Sequence, residues 1–210
     1  MWAEWIEDYF DGIHRALEAL PRKALLQIIA QIEAAARDGH MIFLCGNGGS
    51  AATASHFACD LAKGARRPGA PVIRAIALTD NVPLLTAWAN DTEYRHVFAE
   101  QLRPLVRPGD LVIAISGSGN SPNVLEAVRV AREAGAFTIG LTGFQGGKLR
   151  ELVDLCLIVP SACMEQIEDV HLILQHTITT VLRRTWENAF VVAPILQEEP
   201  MPDASRIPGS

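Results

Sequence analysis

Cysteine is scarce in this chain: 4 among 210 residues, with no CxxC pair. Cys45, Cys59, Cys156 and Cys163 all sit inside apolar stretches. They read as small buried hydrophobes in a reducing compartment, which excludes a disulfide framework. Positive charge is also short, since 18 Lys and Arg against 24 Asp and Glu leave a net charge of −6. Nucleic-acid affinity comes from clustered cations, so that partner class is excluded. No apolar run approaches the ~18 residues that a membrane span needs. The opening MWAEWIEDYF is acidic where a secretory leader is basic. The expectation is a cytoplasmic protein that engages neither membrane nor nucleic acid. The glycine-rich segments match neither GxGxxG nor GxxxxGK[ST], so neither a dinucleotide nor a P-loop nucleotide is supported. There is no repeat of solenoid period and no low-complexity block.

What is present is apolar. Hydrophobic residues make up 49% and charged residues 20% of the chain, with a mean hydropathy of +0.17. That is too hydrophobic for disorder and enough for one large core, and the length suits one domain of ~150 residues with an appendage. Over residues 2–20, Trp2, Trp5, Ile6, Phe10, Ile13 and Leu17 recur at spacings of three and four and predict an amphipathic helix ended by Pro21. Leu25, Ile28, Ile29 and Ile32 predict a second helix over 22–37. From residue 41 the texture changes. Short apolar runs at 41–45, 72–78, 110–116, 138–142 and 155–160 alternate with helix-like segments of 10–25 residues. Unbroken apolar runs are what strands covered on both faces look like, and the alternation with helices implies right-handed βαβ crossovers. A long helical pattern follows from 163 to about 187, and the remainder is Pro-rich and acidic. The expected organisation is therefore N-terminal helices over 1–38, an α/β domain over 39–188 and a mobile tail over 189–210. The fold class is α/β, a doubly wound five-stranded parallel sheet flanked by helices. In such sheets ligands bind at the carboxyl ends of the strands.

Two strand-end loops stand out. After the first strand comes Cys45-Gly46-Asn47-Gly48-Gly49-Ser50, leading into a helix. Glycines let backbone N–H groups approach a ligand, and a helix N-terminus favours negative charge. After the third strand comes Ser116-Gly117-Ser118-Gly119-Asn120-Ser121-Pro122, again before a helix. Ser121 would serve as an N-cap with Pro122 near N1, but capping leaves Ser116 and Ser118 unexplained. Hydroxyls, amides and a helix dipole together suit a phosphate monoester without Lys or Arg. Downstream of Gly49, His56 and Asp60 are four apart and share a helix face, and the last helix carries Glu168, His171 and His176. Carboxylates and imidazoles near a phosphate loop allow proton transfer at carbon or a divalent metal.

Taken in order, CGNGGSAATASHFACDL, Asn90-Asp91, ISGSGNS at 115–121 and IEDVH at 167–171 resemble the sugar-isomerase (SIS) domain family, and more closely its phosphoheptose isomerases, over residues 5–185. The resemblance implies a homotetramer that isomerises sedoheptulose 7-phosphate to glycero-manno-heptose 7-phosphate, often with zinc. It assigns sugar contacts to Asn47, Gly48, Gly49, Ser50, Asn90 and Asp91, and phosphate contacts to Ser116, Gly117, Ser118 and Ser121. His56, Asp60, Glu168 and His176 fall where the family places its metal ligands and its acid–base pair.

The departures concern the same positions. The family usually has Glu where this chain has Asp60, Gln where it has Glu168, and Thr where it has Gly117. The shorter carboxylate at 60 draws its oxygens back by roughly 1.5 Å, so Glu168 is expected to be the base ahead of Asp60, with His176 returning the proton. Glu168 and His176 are eight residues apart, about 12 Å along a straight helix. Either their side chains reach toward each other or one is contributed across a subunit boundary. An alternative under the same resemblance is a non-catalytic SIS module that binds a sugar phosphate or the bacterial replication initiator.

Overall fold

The computed structural model describes residues 1–192, with the backbone alone for 188–192. In chain order the elements are α1 (Trp2–Glu18), α2 (Arg22–Asp38), β1 (Met41–Cys45), α3 (Gly49–Cys59), β2 (Arg74–Ala77), α4 (Val82–Asp91), α5 (Ala99–Leu102), β3 (Leu111–Ile115), α6 (Pro122–Glu133), β4 (Phe137–Thr142), α7 (Leu149–Leu152), β5 (Leu155–Ile158) and α8 (Met164–Val192). A π-helical turn, Asp60–Gly64, continues α3, and a short 3₁₀ turn, Tyr94–His96, precedes α5. Helix α8 takes in the first residues assigned to the tail, and the rest of that expectation, 193–210, lies outside the described residues.

The five strands form one parallel sheet in the order β2-β1-β3-β4-β5. Alternate residues of each central strand serve opposite layers. Ile42, Leu44, Leu111 and Ile113 join α2, α3 and α8 in one core, whereas Phe43, Cys45, Val112 and Ala114 join α5, α6 and α7 in the other. Chain direction across the sheet reverses between β1 and β3, so the loops after these two strands open side by side. The glycine loop and the serine loop are those two loops.

Helix α2 ends because Gly39 takes a left-handed φ of +74°, and its N–H and that of His40 return to Ala35 and Ala36 carbonyls. Helix α1 buries little of its apolar stripe. Trp2 is 78% exposed, and Trp5, Ile6 and Phe10 also face outward. It touches the rest of the chain through its other side, where Tyr9 Oη donates to Asp169 at 2.6 Å. A Cβ at Gly12 would lie 2.0 Å from Gln166 Nε2, so a side chain there requires the Gln166 amide to move where α1 crosses α8.

Candidate active site

The glycine and serine loops are tied together by side chains. Asn47 and Asn123 form a reciprocal amide pair: Asn47 Nδ2 donates to Asn123 Oδ1 at 2.9 Å, and Asn123 Nδ2 to Asn47 Oδ1 at 2.8 Å. Asn123 is buried in the first turn of α6, and Tyr94 Oη also donates to Asn47 Oδ1, at 3.0 Å. Asn123 and Tyr94 are functional neighbours that sequence reading missed. An amide in the first helical turn after Ser-Pro was the available signal for Asn123. Tyr94 lies three residues past Asp91, so its bond brings the Asn90-Asp91 dipeptide toward the glycine loop. Asn90 Nδ2 donates to Asp91 Oδ1 at 2.8 Å at the exposed end of α4.

Gly48 carries φ +54° at the entrance to α3, and Ser50 in the first turn is buried. In the serine loop, Ser121 occupies the N-cap position of α6 with Pro122 at N1, but its hydroxyl makes no capping bond. Ser121 Oγ instead lies 3.2 Å from Ser116 Oγ, which converges two hydroxyls in front of the first amides of α6. Ser118 Oγ accepts from Asn120 N at 3.2 Å. Backbone bonds from Gly143 N to Gly117 O and from Leu149 N to Gly119 O, both 2.9 Å, brace the loop. Gly117 has a packing reason to lack a side chain. A Cβ there would lie 2.5 Å from Met164 Sδ, so the thioether fills the slot that a threonine would need.

Helices α3 and α8 run side by side and carry the titratable groups. A Cβ at Gly49 would lie 2.5 Å from Glu168 Oε2, which places that carboxylate against the glycine loop. Glu168 makes no hydrogen bond or ion pair among the described residues. Two turns further along, His56 Nε2 and His176 Nε2 lie 3.5 and 3.7 Å from the same Asp60 oxygen. The two imidazole rings stand 4.9 Å apart and nearly perpendicular. Of the four residues expected to converge, His56, Asp60 and His176 bring one ligand atom each within 4.8 Å of one another, and Glu168 is not among them. The reason is the helix rise: eight residues of α8 separate Glu168 from His176 by about 12 Å.

The triad fits a divalent ion. Donor atoms on a tetrahedral zinc at 2.0–2.2 Å are about 3.3–3.6 Å apart, close to the observed imidazole–carboxylate separations and long for direct hydrogen bonds.

His171 has a different role. It is buried, its Nε2 lies 3.2 Å from Thr142 O, and burial pushes its pKa down to about 4. As a neutral ring donating to the end of β4, it fastens α8 beneath the serine loop.

The SIS domain profile matches residues 8–143. A phosphoheptose isomerase from Roseiflexus sp. (strain RS-1) is 43% identical over 182 residues, spanning 86% of this chain and 90% of its own. One from Aliarcobacter butzleri is 49% identical over 149 residues, 70% of this chain and 77% of its own. Among solved structures, a phosphoheptose isomerase from Francisella tularensis superposes with a TM-score of 0.81 at 30% identity, covering 88% of this chain and 99% of that one.

Proposed function

We propose, from the premise that this chain belongs to the SIS-domain family and within it to the phosphoheptose isomerases, that it interconverts sedoheptulose 7-phosphate and its aldose through an enediolate. At the coarser level it is a sugar-phosphate isomerase. The observation that carries the finer reading is the shared mouth at the sheet's reversal. Amides and glycines lie on one side, a pair of serine hydroxyls at a helix N-terminus on the other, and a carboxylate without partners among the described residues is lodged against Gly49.

In this reading Ser116, Ser118, Ser121 and the first amides of α6 hold the phosphate, with Gly117 leaving the backbone open. Asn47, Gly48, Gly49, Asn90 and Asp91 orient the sugar, and Ser50 supports the glycine turn from beneath. Glu168 removes the proton from the carbon beside the carbonyl, and His176 returns a proton to the neighbouring carbon. Asp60, held between two imidazoles, orients them. Zinc held by His56, Asp60 and His176 would supply positive charge to the oxygens of the enediolate, and His176 returns a proton only when its Nε2 is not committed to the metal.

A separation of about 12 Å between Glu168 and His176 is too long for one sugar carbon pair. In this reading the chain works as a homo-oligomer in which the triad of one copy faces the loops of another, and a tetramer is what the resemblance to the family implies. The surface around His176 supports this arrangement: it is a shallow groove lined by Ile173, Thr177, Thr180 and Val181.

The test is turnover. Purified protein with zinc should convert sedoheptulose 7-phosphate to the aldose, and loss of that turnover in Glu168→Gln and His176→Ala assigns the roles. A parent that binds the sugar phosphate without turning it over would instead mark a binding module.

A further inference from the structure

The end of the π-helical turn and the loop after it carry Lys63, Arg66 and Arg67 within five residues, in a chain whose net charge is −6. Together with Pro68, Ala70 and Val72, these side chains line an open cavity of about 550 Å³. That volume is in the range of small-molecule sites, roughly 300–1,000 Å³. Three cations on one short stretch converge on this cavity. Arg37, Arg103 and Arg129 each pair with a glutamate one turn away on their own helix or turn, and Arg132 pairs with Asp154. Lys63 and Arg66 make no ion pair among the described residues.

Arg67 is held in place. Its Nε donates to Glu187 Oε1 at 2.6 Å and its Nη1 to the Arg66 carbonyl at 2.7 Å. Helix α8 carries a further cation on the same side. A Cβ at Gly64 would lie 3.5 Å from Thr179 Cγ2, and Arg183 is four residues from both Thr179 and Glu187 on one helix face.

We propose that this cavity is a second anion site, separate from the serine cradle, that takes the phosphoryl groups of a small molecule carrying more than one phosphate charge. The two sites differ in chemistry. The cradle offers neutral hydroxyls and amides to one monoester, whereas the cavity offers two cations without ion pairs among the described residues, Lys63 and Arg66, beside a guanidinium that Glu187 holds in place. The Arg66 guanidinium can meet phosphate oxygens two at a time. Pro68, Ala70 and Val72 present an apolar wall for whatever the phosphates are attached to. Lys63 shares the turn Asp60–Gly64 with Asp60, so a bound anion lies about one helical turn from the carboxylate between the two imidazoles. Its charge would be felt there.

The probe is inorganic pyrophosphate, titrated calorimetrically into the full chain at low salt with EDTA present. All variants are made on a Ser118→Ala/Ser121→Ala background, which removes the cradle's hydroxyls. That background should still bind pyrophosphate. Adding Lys63→Ala and Arg66→Ala, both exposed, should weaken binding at least tenfold. Adding Arg103→Ala and Arg129→Ala, an equal loss of charge on the other face of the sheet, should change it less than twofold. Absence of binding on the background overturns the proposal, and so does an unchanged affinity in the Lys63/Arg66 variant. An equal loss with the Arg103/Arg129 pair also overturns it, because that would show bulk charge alone. None of these outcomes touches the isomerase reading, which sugar turnover tests separately.

Discussion

At the scale of single residues, Glu168 is the most informative position. It brings a carboxylate where the family usually has an amide, and that carboxylate lies against Gly49 with no partner of its own. Glu168→Gln keeps the size and hydrogen-bonding capacity and removes only the basicity. General-base catalysis is worth roughly 10²–10⁴-fold. The expected outcome is therefore a fall in kcat of at least 10²-fold with KM within a few-fold, read by steady-state turnover. An active Glu168→Gln enzyme transfers the base role to Asp60.

His171 gives a second residue-scale prediction. Its folded-state pKa of about 4 lies below the ~6.5 of an unfolded histidine. Between those values the unfolded chain binds a proton that the folded chain refuses, so folding stability falls as pH drops from about 6.5 toward 4. The loss from this group reaches on the order of 3 kcal/mol at the acid end. Urea denaturation at pH 7.0 and 5.0 should show a steeper loss in the parent than in His171→Asn. That variant is weaker at neutral pH because Thr142 O loses its donor, but its pH dependence is flatter.

At the scale of elements, the serine loop depends on α6 and β4 as much as on its own hydroxyls. Gly119 has φ +65°, and a Cβ there would lie 2.0 Å from the Gly146 carbonyl oxygen. Gly119→Ala combines a strained conformation with a backbone clash, so a cost of about 1–3 kcal/mol is expected. It should appear as a lower melting temperature together with weaker sugar-phosphate binding. Ser118→Ala with Ser121→Ala should leave the fold intact, since neither hydroxyl caps α6. Charge-assisted bonds contribute ~1.5–3 kcal/mol each, so the double variant should lose at least a hundredfold in sugar-phosphate affinity by calorimetry.

At the scale of the whole molecule, the exposed face of α1 is the feature that a single chain leaves unexplained. Trp2, Trp5, Ile6, Tyr9 and Phe10 border a groove of about 380 Å³ that is almost wholly apolar. Interfaces of permanent oligomers resemble a core cut in half and are enriched in aromatics. Light scattering at micromolar concentration should give a mass near four times the chain's 22.8 kDa. Trp2→Ser with Trp5→Ser should lower that mass and lower turnover with it. A parent that is monomeric at that concentration removes the shared-site account of His176.

The local pattern of residues was enough for the class of the fold and the position of its loops. The five apolar runs became five strands; in β1, β3 and β4 burial on both sheet faces demands unbroken hydrophobicity, whereas the edge strands β2 and β5 are only partly covered. Glycine and serine clusters after β1 and β3 likewise announced backbone amides and hydroxyls at strand ends. Period and composition are local quantities, so they survive reading in one dimension. The amide pair of Asn47 and Asn123, 76 residues apart, was not legible, because strand order brings those loops together and no local spacing records it. The same holds for the thioether over Gly117 and for the grouping of His56 and Asp60 with His176. Glu168 and His176 share one helix, yet the packing of α3 beside α8 sends one to the glycine loop and the other to the imidazole pair. Helix rise supplied the distance between them, and only the tertiary contact decided which partner each would meet.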